Sequence, residues 1–226
     1  MPPKVLVACP TSEHKRYCLK QWIDGIKKFT YPNYDILLVD NSKGDAYLKE
    51  IQQLGVAVIK GPWFERARDR IIASRNMIRE KVLSEGYDYF FSLEQDVIAP
   101  PHAIEQLLSN KKDIVCGAVT GLQDVNGVIV PAPMMYVQSK VNSELLWFLD
   151  PKEIAKPQFI EIKACALGCV LIKADVLKDI KFRYEGGFDD MIFCLDATTK
   201  GFKIYCDTSV TTEHHQKQDQ WVGIKK

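Results

Sequence analysis

The chain has 226 residues, 46 % of them hydrophobic and 26 % charged, an ordinary globular mix that excludes disorder and fibrous architecture. This length suits one α/β or all-β domain better than two separate cores. Thirty Lys and Arg against 29 Asp and Glu leave a net charge of +1, which excludes an overall basic field for nucleic acid, so any bound anion is held locally.

Short β-branched runs alternate with longer helical patterns through the first half, as in βα units stacked around a mainly parallel sheet. Lys4–Cys9 is the first predicted strand, continuously apolar as a strand buried on both faces should be. Thr11 or Ser12 is placed to cap the next helix, in which Leu19, Trp22, Ile23, Ile26 and Phe29 recur at helical spacing. Tyr34–Val39 is the second strand, ended by Asp40-Asn41-Ser42. A short helix to Gly55, a third strand Val56–Ile59 and a Gly61-Pro62 break follow, then a long helix Glu65–Glu85 closed by Gly86. Tyr87–Leu93 is the fourth strand, and Pro100-Pro101 opens another helix.

The second half is less regular. Ile114–Val119 is a strand, and Asp124–Val137 reads as an inserted antiparallel hairpin turning at Asn126-Gly127. Residues 139–158 are expected to be looped, Ile160–Ile172 a strand interrupted at Gly168, and Ala174–Ile180 and Asp189–Thr199 helices. Phe202–Cys206 and Ser209–Glu213 complete the pattern. The tail Gln216–Lys226 is expected to be frayed or a lid, with Lys217 near phosphate and Trp221 near the acceptor. The first apolar run has five residues, too short for a secretion signal, and no stretch approaches the roughly 18 of a membrane span. Seven scattered cysteines without a C-x-x-C pair suggest reduced, buried thiols in a cytoplasmic protein.

Ligands of open parallel sheets sit beyond the carboxyl ends of the strands, where Asp40 and Asp96 both fall. Glu94 and Asp96 are two apart, so a regular strand or a turn beyond it can aim both at one crevice, where a hard divalent ion would take them together with substrate phosphates. A solvated turn explains the pair as well. His214-His215 follows a strand-like run, and an extended backbone lets at most one of the two join such an ion. Asp189-Asp190 follows Gly186-Gly187-Phe188 at a helix start, where the acids either complement the helix dipole or supply a general base.

The strings LLVDNS, RIIASRN, DYFFSLEQDVIAPP, ALGCVLIKADVL, GGFDDMIFCLDATTKGFKI and DTSVTTEHH together resemble a nucleotide-sugar-dependent glycosyltransferase of the GT-A type, closest to glycosyltransferase family 2. The resemblance runs in order from the first strand to about His215. It implies an α/β fold, Rossmann-like and doubly wound, with a smaller antiparallel element, one domain over residues 1–215. Residues 1–118 would be its nucleotide-binding half, 119–215 its acceptor half, and 216–226 a tail or lid.

It further implies a nucleoside diphosphate sugar donor, a UDP-sugar from the match at Asp40, with Mn²⁺ or Mg²⁺ as cofactor. Pro10 and Thr11 would lie in the nucleoside loop and Asp40 would bond the base. Arg70, six before Asn76, would approach the base or phosphates with Arg75 as companion, while Arg68 would be solvated. Glu94-Gln95-Asp96 takes the DXD position, with Asp96 as metal ligand and Glu94 near the ribose or the metal. Glu94 departs from the usual Asp by one methylene. His214, seven after Asp207, takes the late metal-binding position. Gly168 would let the backbone approach the donor sugar. Asp190 would be the base of an inverting transfer, with Asp189 in the place of the family's glutamate.

The acceptor, whether glycan, protein or lipid, is left open, and Met134, Met135, Tyr136, Trp147 and Phe148 either line its site or pack as core. The alternatives are a noncatalytic nucleotide-sugar-binding domain and a sugar nucleotidyltransferase. CPTSEHKRY after the first strand lacks the glycines of the latter's phosphate-gripping loop.

Overall fold

The computed structural model describes residues 2–125, 127–142 and 145–217. Strand β1 (Val5–Thr11) runs two residues past its predicted end, leads through a 3₁₀ turn (Glu13–Cys18) into helix α1 (Leu19–Ile26), and pairs in parallel with β2 (Tyr34–Asp40). Neither predicted cap forms. Ser12 makes no side-chain cap bond, and Thr11 belongs to the strand, where its hydroxyl donates to Gln95 Oε1 instead. Helix α2 (Ala46–Gln53) ends before Gly55, whose φ of +73° is the left-handed conformation glycine adopts without strain. Next come β3 (Val58–Lys60), α3 (Ala67–Ser84) and β4 (Tyr89–Leu93).

A turn leads from β4 to the two-residue β5 (Val97–Ile98), α4 (Ala103–Ser109) and β6 (Ile114–Ala118). The inserted hairpin is present as β7 (Thr120–Val125) and β8 (Val128–Pro133), while Asn126 of its expected turn lies outside the described residues. The expected loop over 139–158 is partly ordered. Strand β9 (Met135–Gln138) pairs with β10 (Leu146–Phe148), and α5 (Pro151–Ile154) starts where Asp150 accepts a bond from the Lys152 amide.

The single strand expected over Ile160–Ile172 is three: β11 (Phe159–Ile162), β12 (Ala164–Cys165) and β13 (Cys169–Lys173). They join different sheets, which a one-dimensional apolar run cannot reveal. After α6 (Ala174–Asp179) and α7 (Asp189–Thr199), β14 (Ile204–Thr211) fuses the two last predicted strands, and β15 (Glu213–His214) follows.

The main sheet has eight strands in the order β11-β14-β6-β13-β4-β1-β2-β3. Strand β13 is antiparallel to both β4 and β6, and β11 to β14, so the parallel run is interrupted in the second half. Alternate residues of β1 serve opposite faces, as a two-residue period requires. Leu6 and Ala8 join a core with Ile78 and Val82 of α3, while Val5, Val7 and Cys9 join Trp22 and Ile26 of α1. All seven cysteines are buried and none is in a disulfide. Among the described residues no helix is long and apolar enough to cross a membrane.

Candidate active site

The parallel strands β1, β2 and β4 end side by side at Thr11, Asp40 and Leu93. Beyond β4 the chain turns at once: the Val97 amide donates to the Glu94 carbonyl at 2.8 Å. The turn is fixed from several sides. Glu94 N donates to the Gly168 carbonyl at 3.0 Å, and the Trp22 indole N–H of α1 donates to the Leu93 carbonyl at 3.2 Å. Gln95 is buried and acts as a peg. Its Oε1 accepts from Thr11 and Tyr47, and its Nε2 donates to the Lys15 carbonyl at 2.8 Å.

This turn gives its two acids different direct partners, although the charge of both acts on Lys15 and His214. Asp96, 1 % exposed, receives the Lys15 ammonium on Oδ2, and His214 Nε2 lies 3.5 Å from the same oxygen. His214 arrives there because β15 pairs with β5, setting His214 opposite Val97, and because the His215 amide donates to the Asp96 carbonyl at 2.7 Å. The carbonyl of Thr120 lies 3.0 Å from His214 Nδ1 and can only accept, so Nδ1 carries a proton and Nε2 is the ring nitrogen turned to Asp96. Burial raises the Asp96 pKa, but His214 and Lys15 outweigh it and hold the carboxyl well below the usual range. Burial likewise opposes the His214 charge, and the Asp96 carboxylate more than offsets it, so that pKa is raised. His215 is partly exposed and 3.5 Å from Glu213, away from Asp96.

Glu94 bonds Arg75 of α3. The guanidinium, with a side chain only 4 % exposed, bonds Glu94 Oε1 through Nη2 at 2.7 Å and pairs through Nε with Asp189 Oδ2 at 2.8 Å. One arginine thus ties the turn after β4 to the first residue of α7. The adjoining Asp190 is half-buried, and its Oδ1 accepts the Met191 amide at 2.7 Å. Burial, and then the charge of Asp189, push its pKa up to about 7 against the opposing pull of Arg75. The loop before α7 is held on α3 by Asn76, which exchanges two bonds with the Phe182 backbone, and by Arg79, which donates to the Ile180 carbonyl at 3.0 Å.

An eight-stranded, mainly parallel sheet with this acidic turn is the frame on which the comparisons fall. The family model described as glycosyl transferase family 2 matches residues 14–181. The chain belongs to glycosyl transferase family 2. Its fold is that of the GT-A glycosyltransferases. It is similar to GalNAc-T7, solved with UDP, GalNAc and Mn²⁺, at 16 % identity and a TM-score of 0.70 over 97 % of this chain and 45 % of that one. It is also similar to residues 1–349 of S. aureus TarS in complex with UDP-GlcNAc, at 14 % identity and a TM-score of 0.58 over 92 % of this chain and 57 % of that one. The chain therefore spans about half the length of these two. No curated protein matches it.

The other expected site residues of this family 2 chain are distributed unevenly. Asp40 is fully buried at the end of β2, with Oδ1 accepting from the Ser42 amide and hydroxyl and Oδ2 paired with Lys60 at 2.9 Å. Pro10 and Thr11 lie beside it on β1, pairing with Val39 and Asp40. The two arginines expected near the nucleotide have different protein partners. Arg70, one turn into α3, folds back onto the carbonyls of Phe64 and Glu65, whereas Arg75, one and a half turns further, reaches the acids. Arg68 is not simply solvated but lies 3.9 Å from the Tyr184 ring centroid. A Cβ at Gly168 would meet Val97 at 3.3 Å and Val119 at 3.7 Å, so core side chains back this glycine. Lys217 lies 4.1 Å over the Tyr17 ring, and Trp221 is outside the described residues. In the second half Met135 is buried core, whereas Trp147 is 58 % exposed beside Phe148.

Among the described residues no three His, Cys, Asp or Glu side chains form a ready metal cage. Glu94, held by Arg75, does not join Asp96 and His214, which meet each other. The sequence analysis missed Lys15 and Lys60, the cations on the two buried strand-end carboxylates. A buried Asp at a strand end itself calls for a cation, but nothing in the sequence says which lysine supplies it.

Proposed function

We propose that this family 2 chain transfers a sugar from a UDP-sugar to an acceptor hydroxyl with inversion, using Asp190 as general base and Asp96 with His214 as protein ligands of a divalent ion. The observation that carries the reading is the Arg75 bridge, which fixes the acidic turn at the sheet ends and the Asp189-Asp190 helix start as one unit. A donor held at the turn and an acceptor at the helix start would then meet at a set distance. The complexes of GalNAc-T7 with UDP, GalNAc and Mn²⁺ and of TarS with UDP-GlcNAc support a UDP-sugar donor. Residues 1–118 would serve the donor and 119–215 the acceptor.

The donor set suits the ion. A carboxylate and an imidazole Nε2 converge, and with Nε2 deprotonated on binding this oxygen and nitrogen pair would fit Mn²⁺ better than Mg²⁺, with diphosphate oxygens and water completing the coordination. When bound, such an ion neutralises negative charge on a departing diphosphate. The chain's own part is the proton and the geometry. Asp190 accepts the proton of the acceptor hydroxyl as that oxygen forms its bond to the anomeric carbon and the bond to the diphosphate breaks. Its elevated pKa matches a base working near neutrality, since it holds a proton more firmly than an ordinary carboxylate yet is about half ionised near pH 7. Arg75 keeps Asp189 and Glu94 in place.

The test is a thermal-shift matrix of UDP, GDP, CDP and dTDP with and without Mn²⁺, on wild type and Asp96→Ala, followed by NMR of the anomeric configuration of the product. Stabilisation by UDP that needs Mn²⁺ and vanishes in Asp96→Ala is expected, with an inverted product. No shift with any nucleotide would remove the foundation of the proposal, and a retained configuration would remove Asp190 as its base.

A further inference from the structure

Lys15 sits where the proposed ion would bind, and this has a functional cost. Its ammonium bonds the same Asp96 Oδ2 that faces His214 Nε2 at 3.5 Å. The backbone around it is fixed, because the Lys15 carbonyl accepts from Gln95 Nε2 at 2.8 Å and from Cys18 Sγ at 3.1 Å. The side chain is not fixed to the same degree: it is 27 % exposed, against 2 % for Asp96. A four-carbon stem on an anchored backbone can carry the charge away from Asp96 without moving the turn. A divalent ion and an ammonium cannot share one carboxylate oxygen at contact distance without strong like-charge repulsion.

We propose that Lys15 is a resident counter-ion at Asp96, which a divalent ion must displace, and that a nucleoside diphosphate gives the displaced ammonium a second anionic partner, so that ion and nucleotide load together. The inference rests on the reading of Asp96 and His214 as metal ligands. It explains why a buried carboxylate can stay ionised and paired in the absence of any ligand. It also makes Lys15 a positioning residue whose effect appears in binding before any sugar is transferred. Without nucleotide, removing the ammonium would favour the ion. With nucleotide, the wild-type lysine would be on the phosphate and the advantage of removing it would shrink.

The experiment is Mn²⁺ titration followed by the EPR signal of the free ion, on wild type, Lys15→Met and Lys15→Arg, each with and without UDP. Without UDP, Lys15→Met is expected to bind Mn²⁺ at least about tenfold more tightly than wild type, and Lys15→Arg no more tightly. UDP is expected to tighten Mn²⁺ binding by a larger factor in wild type than in Lys15→Met, and Mn²⁺ to tighten UDP binding by the same factor in each protein. Equal, measurable Mn²⁺ affinities of wild type and Lys15→Met without UDP would overturn the role of Lys15 alone. So would equal tightening by UDP in both, or Lys15→Arg matching Lys15→Met. No Mn²⁺ binding by any of the three, with UDP present, would overturn the metal reading and the Lys15 inference with it. Thermal melts of the same samples check that each variant is folded.

Discussion

Replacing Asp190 by asparagine should make the protein more stable and inactive at once, and the gain should depend on pH. The carboxyl has a pKa of about 7 in the folded chain against an ordinary 3.8, because it is poorly hydrated and next to Asp189. The folded state therefore keeps a proton that the unfolded chain loses. Below the unfolded value both states are protonated and the group contributes nothing. As pH rises from 3.8 to about 7 the unfolded chain ionises first, so folding stability falls through that window, and above it the loss is constant. At 1.36 kcal/mol for each tenfold change in proton affinity the full loss is about 4 kcal/mol, an upper figure for a half-buried side chain. Asparagine has no charge to bury. Asp190→Asn should thus raise Tm relative to wild type by little at pH 4 and by several degrees at pH 8, at roughly 2–4 °C per kcal/mol for a chain of this size. Melts of both proteins at pH 4, 6 and 8 check it, together with a transfer assay in which the variant should lose on the order of 10²–10⁴ in turnover. A Tm difference that is the same at pH 4 and pH 8 would refute the argument that burial raises this group's pKa.

Other outcomes follow from the same contacts. Arg75→Met leaves Glu94 and Asp189 without their shared cation and should cost about 3–5 kcal/mol in urea unfolding, while adding Asp189→Asn should recover part of that loss because one of the stranded charges is gone. For the proposed ion, chelation should stop transfer and Mn²⁺ should restore it. UDP and Mn²⁺ at about 100 times their dissociation constant should add roughly 2.7 kcal/mol to wild type and no comparable amount to His214→Gln, which thermal shift reads directly. Gly61→Ala places a Cβ at 2.9 Å from Ser74 Oγ and 3.0 Å from Val39 Cγ1, where β3 leaves the sheet under α3, and should cost about 1–3 kcal/mol by overpacking. An unchanged denaturation midpoint in that variant would show that α3 yields there.

The sheet was legible where one residue carries one instruction. Continuous apolar runs marked β1 and β6 because both faces of those strands are covered, and Trp22, Ile23 and Ile26 marked α1 because helical spacing puts them on one side. Legibility failed where the partner decides the structure. The apolar stretch Ile160–Ile172 reads as one strand interrupted at Gly168, yet its pieces bond to β14, β9 and β4, and nothing local records those three destinations. Residues 146–154 carried a local signal that went unused: Asp150 before Pro151 is a helix start, with the acid capping and the proline at a position that needs no amide hydrogen.

The candidate site divides along the same line. Asp40 and Asp96 could be placed from strand polarity alone, since Asp40 ends one parallel strand and Asp96 lies just beyond the end of another. Glu94 and Asp96 take different direct partners for a local reason. A strand would return the side chain to the same face after two residues, but the Val97-to-Glu94 hydrogen bond closes a turn there and cancels that period. Each acid is then claimed by a distant cation, Glu94 by Arg75 of α3 and Asp96 by Lys15 beyond β1. A buried carboxylate needs such a partner, so the turn that separates the acids also fixes what each one can do. Asp96, which faces a partly exposed lysine and a histidine nitrogen, would be suited on the proposed reading to exchange one cation for another. Glu94, bound to an arginine that also holds Asp189, is suited to transmit position. The proposed division of labour between ion binding and base positioning would then originate in the turn after β4, where the two acids take different cations.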